Sequence, residues 1–265
     1  MNILISNDDG LMANGITALT MALAEEHDVY VVAPDRERSA AGHSLTLHTP
    51  LRVEELEPKF GAKRNWVTTG TPGDCVKIAV SAILADDEKP DFIISGINHG
   101  PNLGSDILYS GTVSCALEGA MLGYPGIATS LCGTSCEPED FVASAQFMAK
   151  FLPLLKEMTF PQKSILNINF PALELSDIAG VKITELGSKM FTNDYEKRVD
   201  PRGKTYYWLA GELIASEALH PDSDIEAIRQ NMISITPVSF DLTNRKAYPL
   251  MEKTFNEKVF DGWFD

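Results

Sequence analysis

The sequence predicts an α/β fold: a doubly wound, mostly parallel, Rossmann-like sheet followed by a C-terminal extension rich in β-hairpins. Short apolar runs without polar alternation recur along the chain, as expected for strands that are covered on both faces. Segments of helical periodicity alternate with these runs up to about residue 175. Beyond that point the alternation stops. We therefore divide the 265-residue chain into a Rossmann-like core, residues 1–178, and an extension, residues 179–265.

The chain opens with a predicted β-α-β unit. Asn2–Ser6 is an apolar run that ends in polar residues, which indicates a buried strand followed by a loop. Apolar residues at helical spacing from Ile16 predict a helix that reaches about His27. Val29–Ala33 is a β-branched run stopped by Pro34, and it predicts the second strand. This order favours a parallel pair with a right-handed crossover.

A second group of elements follows a polar stretch. Leu51–Leu56 shows weak alternation and suits an antiparallel pair with the region Asn65–Val67. Thr71 is a predicted helix cap, because a proline follows it and Asp74 stands three residues later. Asp91–Ser95 is predicted as another buried strand, and the Gly- and Asn-rich residues after it are predicted as a loop.

The rest of the core continues the alternation. We predict helices at Thr112–Leu122 and Phe141–Leu155, with strands at Ile127–Leu131 and Ser164–Phe170. The extension is predicted to contain three strands and one short helix, which are Val181–Leu186, Thr205–Leu213, Ile233–Pro237 and a helix around Asp224–Met232. An extension with hairpins is compatible with a contact to a neighbouring subunit.

Composition excludes several classes of protein. The chain carries 22 Lys and Arg against 37 Asp and Glu, a formal net charge of −15. Long nucleic acids and anionic membrane surfaces bind basic proteins, so neither is an expected partner. There is no apolar run long enough to span a membrane and no signal-peptide pattern. The four cysteines lack CxxC spacing. These features predict a cytoplasmic protein.

An acidic pair directly follows the first predicted strand. Ligands of open α/β sheets bind outside the carboxyl ends of the strands, and Asp8 and Asp9 stand at such an end. Two adjacent carboxylates are costly to hold together unless a proton or a divalent cation lies between them. A solvated Asp-Asp-Gly turn is the alternative, but the position at a strand terminus favours a binding site.

Two further oxygen ligands follow the next strands of the sheet. Ser39 comes after the second strand, in a segment whose arginines could also donate to phosphate, and Asn98 follows the strand at 91–95. Carboxylate, hydroxyl and amide oxygens are ligands for Mg²⁺ or Mn²⁺ rather than Zn²⁺. The chain has neither a GxGxxG fingerprint nor a P-loop. We therefore predict one divalent metal ion, most simply Mg²⁺ or Mn²⁺.

A candidate phosphate site lies at the start of the third predicted helix. Ser110, Gly111 and Thr112 supply hydroxyl groups and unsatisfied backbone N–H groups at a helix N-terminus, which together attract anions. Simple capping of the helix is a compatible alternative. A metal beside such an anion site predicts metal-assisted attack of water on a phosphate ester, with Asp8, Asp9 and Asn98 as the catalytic group.

Several longer motifs occur in order along the chain, which are Ile-Leu-Ile-Ser-Asn-Asp-Asp-Gly at 3–10, Val-Ala-Pro-Asp-Arg-Glu-Arg-Ser at 32–39, Gly-Thr-Pro-Gly-Asp-Cys-Val at 70–76, Ser-Gly-Ile-Asn-His-Gly-Pro-Asn-Leu-Gly at 95–104, Tyr-Ser-Gly-Thr-Val at 109–113, Asp-Pro-Arg-Gly at 200–203 and Ile-Thr-Pro…Asp-Leu-Thr at 235–243. In these motifs the sequence closely resembles the SurE family. The resemblance covers nearly the whole chain.

The resemblance implies a 5′/3′-nucleotidase. It implies a divalent metal held by Asp8, Asp9, Ser39 and Asn98, and a phosphate site at 110–112. It implies nucleoside monophosphates as substrates, with short polyphosphate for some members, and a homodimer or homotetramer assembled through an exchanged C-terminal arm. It gives no ground for a catalytic role of His43.

Two other hypotheses remain at the level of sequence. One is an enzyme in which Asp8 attacks phosphorus directly and forms a phosphoaspartyl intermediate. The other is a non-catalytic, Mg²⁺-dependent nucleotide-binding or receiver-like module. Receiver-like domains are much shorter than this chain, and the C-terminal extension has no place in them.

Overall fold

A nine-stranded sheet forms the centre of the protein in its computed structural model. The structure describes residues 1–133, 137–160, 163–188, 190–191, 194–210, 213–214, 220–255 and 263. The strands are β1 (Asn2–Ser6), β2 (Asp28–Pro34), β3 (Val53–Leu56), β4 (Arg64–Thr68), β5 (Phe92–His99), β6 (Gly126–Cys132), β7 (Ser164–Pro171), β8 (Gly180–Ile183), β9 (Met190–Phe191), β10 (Tyr195–Val199), β11 (Thr205–Leu209), β12 (Leu213–Ile214) and β13 (Met232–Ser239).

The sheet confirms the predicted fold class. Its strand order is β3-β4-β2-β1-β5-β6-β7-β13-β8, and only the pairs β3–β4 and β7–β13 are antiparallel. The antiparallel pair β3–β4 is the one predicted from the sequence. The sheet also includes β8 and β13 from beyond residue 178, whereas the division of the chain at that residue stays a prediction.

Helices cover both faces of the sheet. The helices are α1 (Asn14–Ala24), α2 (Pro72–Ile78, continued by a π-helical turn at Ala79–Ile83), α3 (Gly111–Met121), α4 (Asp140–Lys156), α5 (Asp224–Arg229) and α6 (Tyr248–Thr254). On β1, Ile3 and Ile5 pack with α1 and α4, whereas Leu4 packs with α2 and α3. Both faces of β1 are therefore buried, which explains its uninterrupted apolar run.

The strand β5 is longer than the sequence prediction. It continues to His99, and Asn98 and His99 pair with β6 after a register shift that follows Ser95. The prediction of a loop directly after residue 95 is therefore wrong, because pairing with β6 outweighs the local preference of Gly and Asn for loops. As a consequence, Asn98 is held by a strand.

The extension contains the predicted hairpins. Strands β10 and β11 form an antiparallel pair in which every residue is exposed. Strands β9 and β12 form a second two-stranded sheet. None of the described helices is long and apolar enough to cross a membrane.

Helix α1 makes unusually close contact with β5. A Cβ atom on Gly15 would lie 1.8 Å from the carbonyl oxygen of Ile97 and 3.0 Å from Cε1 of Phe141. Only glycine allows the first turn of α1 to lie directly on the strand that ends in Asn98. The close approach therefore links the position of α1 to the position of Asn98.

We expect Gly15→Ala to destabilise the protein, although alanine is the better helix former by about 1 kcal/mol. The added methyl group must displace backbone, so the free energy of unfolding should fall by about 2 kcal/mol or more, which urea denaturation measures. Met21→Ala, on the exposed side of the same helix, is the matched control. An unfolding free energy for Gly15→Ala at or above that of the wild type would contradict the proposed contact.

Candidate active site

The candidate site lies where β1, β2 and β5 end and α3 begins. Asn7 shapes the turn after β1, because its side chain donates to the carbonyl of Gly10 at 2.9 Å and accepts from the N–H of Gly10 at 3.1 Å. The backbone N–H of Arg38, in the loop after β2, donates to the carbonyl oxygen of Asp8 at 2.7 Å. These bonds place the two acidic residues at the carboxyl end of the sheet, as predicted.

The carboxylate of Asp8 faces the first turn of α3. Its side chain accepts a hydrogen bond of 2.5 Å from the hydroxyl of Thr112, and the residue is only 5% exposed. Burial raises the pKa of Asp8, whereas hydrogen bonds from Thr112 and from the backbone of Gly111 and Thr112 oppose the rise. The N-terminus of α3 thus partly offsets the cost of burying this charge.

The carboxylate of Asp9 is half-buried beside the end of β5. Its Oδ2 atom accepts from the backbone N–H of His99 at 3.3 Å. Burial, followed by the negative charge of Asp8, raises the pKa of Asp9 to about 6. A cation between the two carboxylates would offset both causes of this shift, because it attracts the charged form of each group.

The side chain of Asn98 presents its oxygen to the same place. Its Nδ2 atom donates to the carbonyls of Gly100 at 2.9 Å and His99 at 3.3 Å. Its Oδ1 atom therefore faces the hydroxyl oxygen of Thr112 at 3.1 Å. That hydroxyl has a single proton, and the charged Asp8 at shorter distance is the better acceptor. Three oxygen atoms consequently converge on one point.

Ser39 stands near this group but makes a different contact. It is exposed, and its hydroxyl donates to Oε1 of Glu37 at 2.6 Å. The structure thus brings Asp8, Asn98 and Thr112 together through direct contacts and holds Asp9 beside them. The role of Ser39 as a metal ligand stays a prediction.

The predicted phosphate site is the N-terminus of α3. Ser110 is the N-cap, and its hydroxyl accepts from the N–H of Val113 at 3.0 Å. A Cβ atom on Gly111 would lie 2.7 Å from Cβ of Asp8 and 2.9 Å from Cγ of Pro72. Glycine is therefore required for this helix start to touch the acidic pair. Capping and anion binding are compatible here, as the sequence indicated.

These donors fit a hard cation better than a soft one. Within the described part of the chain there is no group of three or more His, Cys, Asp or Glu residues that could hold a metal ion. The site offers instead two carboxylates and the amide oxygen of Asn98. Oxygen ligands of this kind suit Mg²⁺ or Mn²⁺, which retain several water ligands. The convergence of oxygens around partly desolvated carboxylates is the observation that supports the fit.

Sequence reasoning missed a buried carboxylate next to the site and the two side chains that contact it. Glu118 of α3 is 2% exposed and pairs with Nε2 of His43 at 2.9 Å and with Nζ of Lys77 at 2.8 Å. The hydrogen bond from His43, followed by the opposing cost of burial and the bond from Lys77, leaves the pKa of Glu118 lowered. The loop after Ser39 and helix α2 are thereby tied to α3. The one sequence signal was position: Glu118 follows Gly111 by seven residues and so shares its side of the helix.

The chain is similar to known proteins over most of its length. The family described as "Survival protein SurE" matches residues 3–193. A protein named "5′-nucleotidase SurE" from Thermosynechococcus vestitus is 52% identical over 249 residues, 92% of either chain. Another of that name, from Gloeobacter violaceus, is 48% identical over 264 residues, 98% of either chain.

A solved structure gives the same result for the fold. The crystal structure titled as the SurE protein of Aquifex aeolicus superposes with a TM-score of 0.80 at 38% sequence identity. The match covers 95% of this chain and 98% of that one. Together with the two relatives and the family match, it shows that this chain belongs to the SurE family.

Proposed function

We propose that this protein is a divalent-metal-dependent nucleotidase that hydrolyses nucleoside 5′- and 3′-monophosphates to nucleoside and phosphate. One observation carries the proposal: of two adjacent, partly buried carboxylates, Asp8 contacts the N-terminus of a helix that can hold a phosphate, and Asp9 lies beside it. The names of the relatives support nucleotidase activity. The enzyme is accordingly a phosphoric monoester hydrolase.

One divalent ion per subunit, Mg²⁺ or Mn²⁺, fits the site. Asp8, Asp9, Ser39 and Asn98 would hold it. When bound, such an ion neutralises charge on the phosphoryl oxygens and activates water for attack on phosphorus. Uncatalysed phosphate-monoester hydrolysis is among the slowest reactions known, with enzymatic enhancements of up to about 10²¹. A site without this neutralisation would leave two carboxylates facing an anionic substrate.

The other steps of the proposed reaction, which are phosphate binding and orientation, fall to side chains and backbone groups of the chain itself. Ser110, Gly111 and Thr112 form the phosphate site at the N-terminus of α3, a position that favours a bound anion. The hydroxyl of Ser110 can donate to a phosphoryl oxygen, whereas the hydroxyl of Thr112 and the backbone of Gly111 and Thr112 donate to Asp8. Asp8 orients the hydroxyl of Thr112, because its carboxylate accepts a hydrogen bond from that group. Asn98 is held by β5 with its oxygen inward. These groups are positioned before the substrate arrives, so little reorganisation is needed during the reaction.

The partners follow from charge and from the extension. Nucleoside monophosphates, and also short polyphosphate, are small enough to reach a local cation despite the net charge of −15. Hairpin β10–β11 exposes Tyr207, Trp208 and Leu209, each by more than half of its surface. Exposed apolar clusters mark contact surfaces. We infer that this arm joins subunits into a homodimer or homotetramer.

The rival hypotheses predict different products. A nucleotide-binding or receiver-like module would bind AMP with Mg²⁺ and release no phosphate. A phosphoaspartyl enzyme would give a burst of nucleoside and a trapped covalent intermediate on Asp8. Direct hydrolysis by water instead predicts release of phosphate with no covalent intermediate.

Removal of the metal should abolish activity. With AMP and Mn²⁺ the purified protein should release phosphate, and EDTA should stop the release until Mn²⁺ is added in excess. Asp8→Asn should lower kcat/KM by about 10³ or more, because it removes a charge that the cation requires. Asp86→Asn changes an exposed carboxylate far along the chain and is the matched control. Activity that survives both EDTA and Asp8→Asn would refute the metal-dependent mechanism.

Acid should weaken metal binding. Asp9, with its pKa raised to about 6, is protonated below that pH, and the cation binds the ionised form. The affinity for Mn²⁺ should therefore be full above about pH 7 and fall on the order of tenfold per pH unit below the pKa. Calorimetric titration at a series of pH values measures it. Asp9→Asn should bind more weakly and lose most of this dependence, and a flat wild-type profile would contradict the assignment.

The hydroxyl of Thr112 should matter more than the shape of its side chain. Thr112→Val keeps the volume but removes the donor to Asp8, so kcat/KM for AMP should fall about 10²-fold. Thr112→Ser retains the hydroxyl and should remain within about fivefold of the wild type. Thermal unfolding of both variants checks that the fold is intact. Equal activity of the two variants would show that the hydroxyl has no role.

A further inference from the structure

A cleft of about 270 Å³ opens beside Asp9. The first turn of α1 and the residues before it form one wall, and the remaining lining comes from Glu37, His99 and Phe141. Whereas Asp8 faces α3, Asp9 faces this cleft. The cleft therefore adjoins the proposed cation site through Asp9, whereas residues 110–112 are not part of its lining. Its size is near the lower end of pockets that bury small ligands, about 300–1,000 Å³.

We propose that this cleft receives the nucleoside part of the substrate. The inference rests on the proposed nucleotidase function, because it starts from a phosphate held at the N-terminus of α3. A phosphate held there would lie beside the acidic pair, and of the two carboxylates it is Asp9 that lines the cleft. A nucleoside that extends from the phosphate past Asp9 would therefore enter it. The cleft thus offers space for the nucleoside directly beside Asp9.

The lining suits a nucleoside chemically. Met12 is 65% exposed at one edge, and a flexible thioether packs well against the face of an aromatic base. The exposed imidazole of His99 offers a second planar surface and a hydrogen-bonding nitrogen. Glu37 accepts the hydroxyl of Ser39 through Oε1, and a carboxylate has further lone pairs for a ribose hydroxyl.

The same lining disfavours other occupants. Two carboxylates, Asp9 and Glu37, face the cleft, so a second phosphate would meet negative charge there. Phe141 lines the bottom of the cleft but is almost fully buried, so its ring is not available for stacking on a base. The residues that recognise the nucleoside are thus Met12, His99 and Glu37, and the first two determine how strongly a base is preferred over a smaller leaving group.

A comparison of two substrates tests the proposal. AMP has a nucleoside, whereas p-nitrophenyl phosphate shares only the phosphate ester. For Met12→Ala and His99→Ala, the ratio of kcat/KM for AMP to kcat/KM for p-nitrophenyl phosphate should fall about five- to tenfold, mainly through KM for AMP. Adenosine should inhibit hydrolysis of p-nitrophenyl phosphate by the wild type, and its inhibition constant should rise by a similar factor in both variants.

The matched controls replace a methionine and a histidine that do not line the cleft. Met121→Ala removes a methionine of similar exposure at the far end of α3, and His48→Ala removes an exposed histidine. Both should leave the ratio at the wild-type value. A Met12→Leu variant, which restores apolar volume, should recover most of the loss caused by Met12→Ala.

The outcomes separate this proposal from the one on which it rests. An unchanged ratio in both variants, or an unchanged inhibition constant for adenosine, would overturn the nucleoside site while leaving the nucleotidase intact. Equal losses on the two substrates would overturn it too, since they would place Met12 and His99 at the phosphate or the cation. Absence of phosphate release from either substrate by the wild type would instead refute the proposed function.

Discussion

The organisation of this protein depends on two neighbouring carboxylates that are both withdrawn from water. Asp8 and Asp9 stand at the end of a central strand, where each raises the electrostatic cost of the other. Hydrogen bonds from α3 and from β5 reduce that cost only in part, as the raised pKa values of both groups show. The remaining cost would favour a bound cation, and under the proposed function such a cation would let an acidic protein bind an anionic substrate.

The surrounding elements can be understood from this constraint. Helix α3 must begin against Asp8, which requires Gly111 at its start. Strand β5 must be long enough to bring Asn98 close to Thr112, and its pairing with β6 continues to His99. Helix α1 then lies directly on the end of β5 through Gly15. The position of the acidic pair at the sheet edge therefore goes together with close packing at Gly111 and Gly15. Strands and helix ends position the site more than loops do.

The sequence was sufficient for those features that local patterns encode. Buried strands, the cap at Thr71 and the acidic pair at a strand end all followed from residue type and spacing. Contacts made only in three dimensions were beyond such patterns. Pairing with β6 carried β5 past the predicted end, although Gly96 and Asn98 favour a loop locally. Likewise, nothing in the local sequence of Glu118 indicates its contacts with His43 and Lys77, which belong to other segments. The orientation of the Ser39 hydroxyl depends in the same way on Glu37.

The buried carboxylate of Glu118 has a consequence for how the protein fluctuates. Its partners belong to two other segments, so opening either of them removes one of the two groups that stabilise this buried carboxylate. Helix α3, helix α2 and the loop that carries His43 should consequently open together, as one cooperative unit with a common free energy of opening. Amide hydrogen exchange would then report similar protection across these segments, although they are distant in sequence. Residues 110–112, the proposed phosphate site, and the loop with His43 would then have the same free energy of opening.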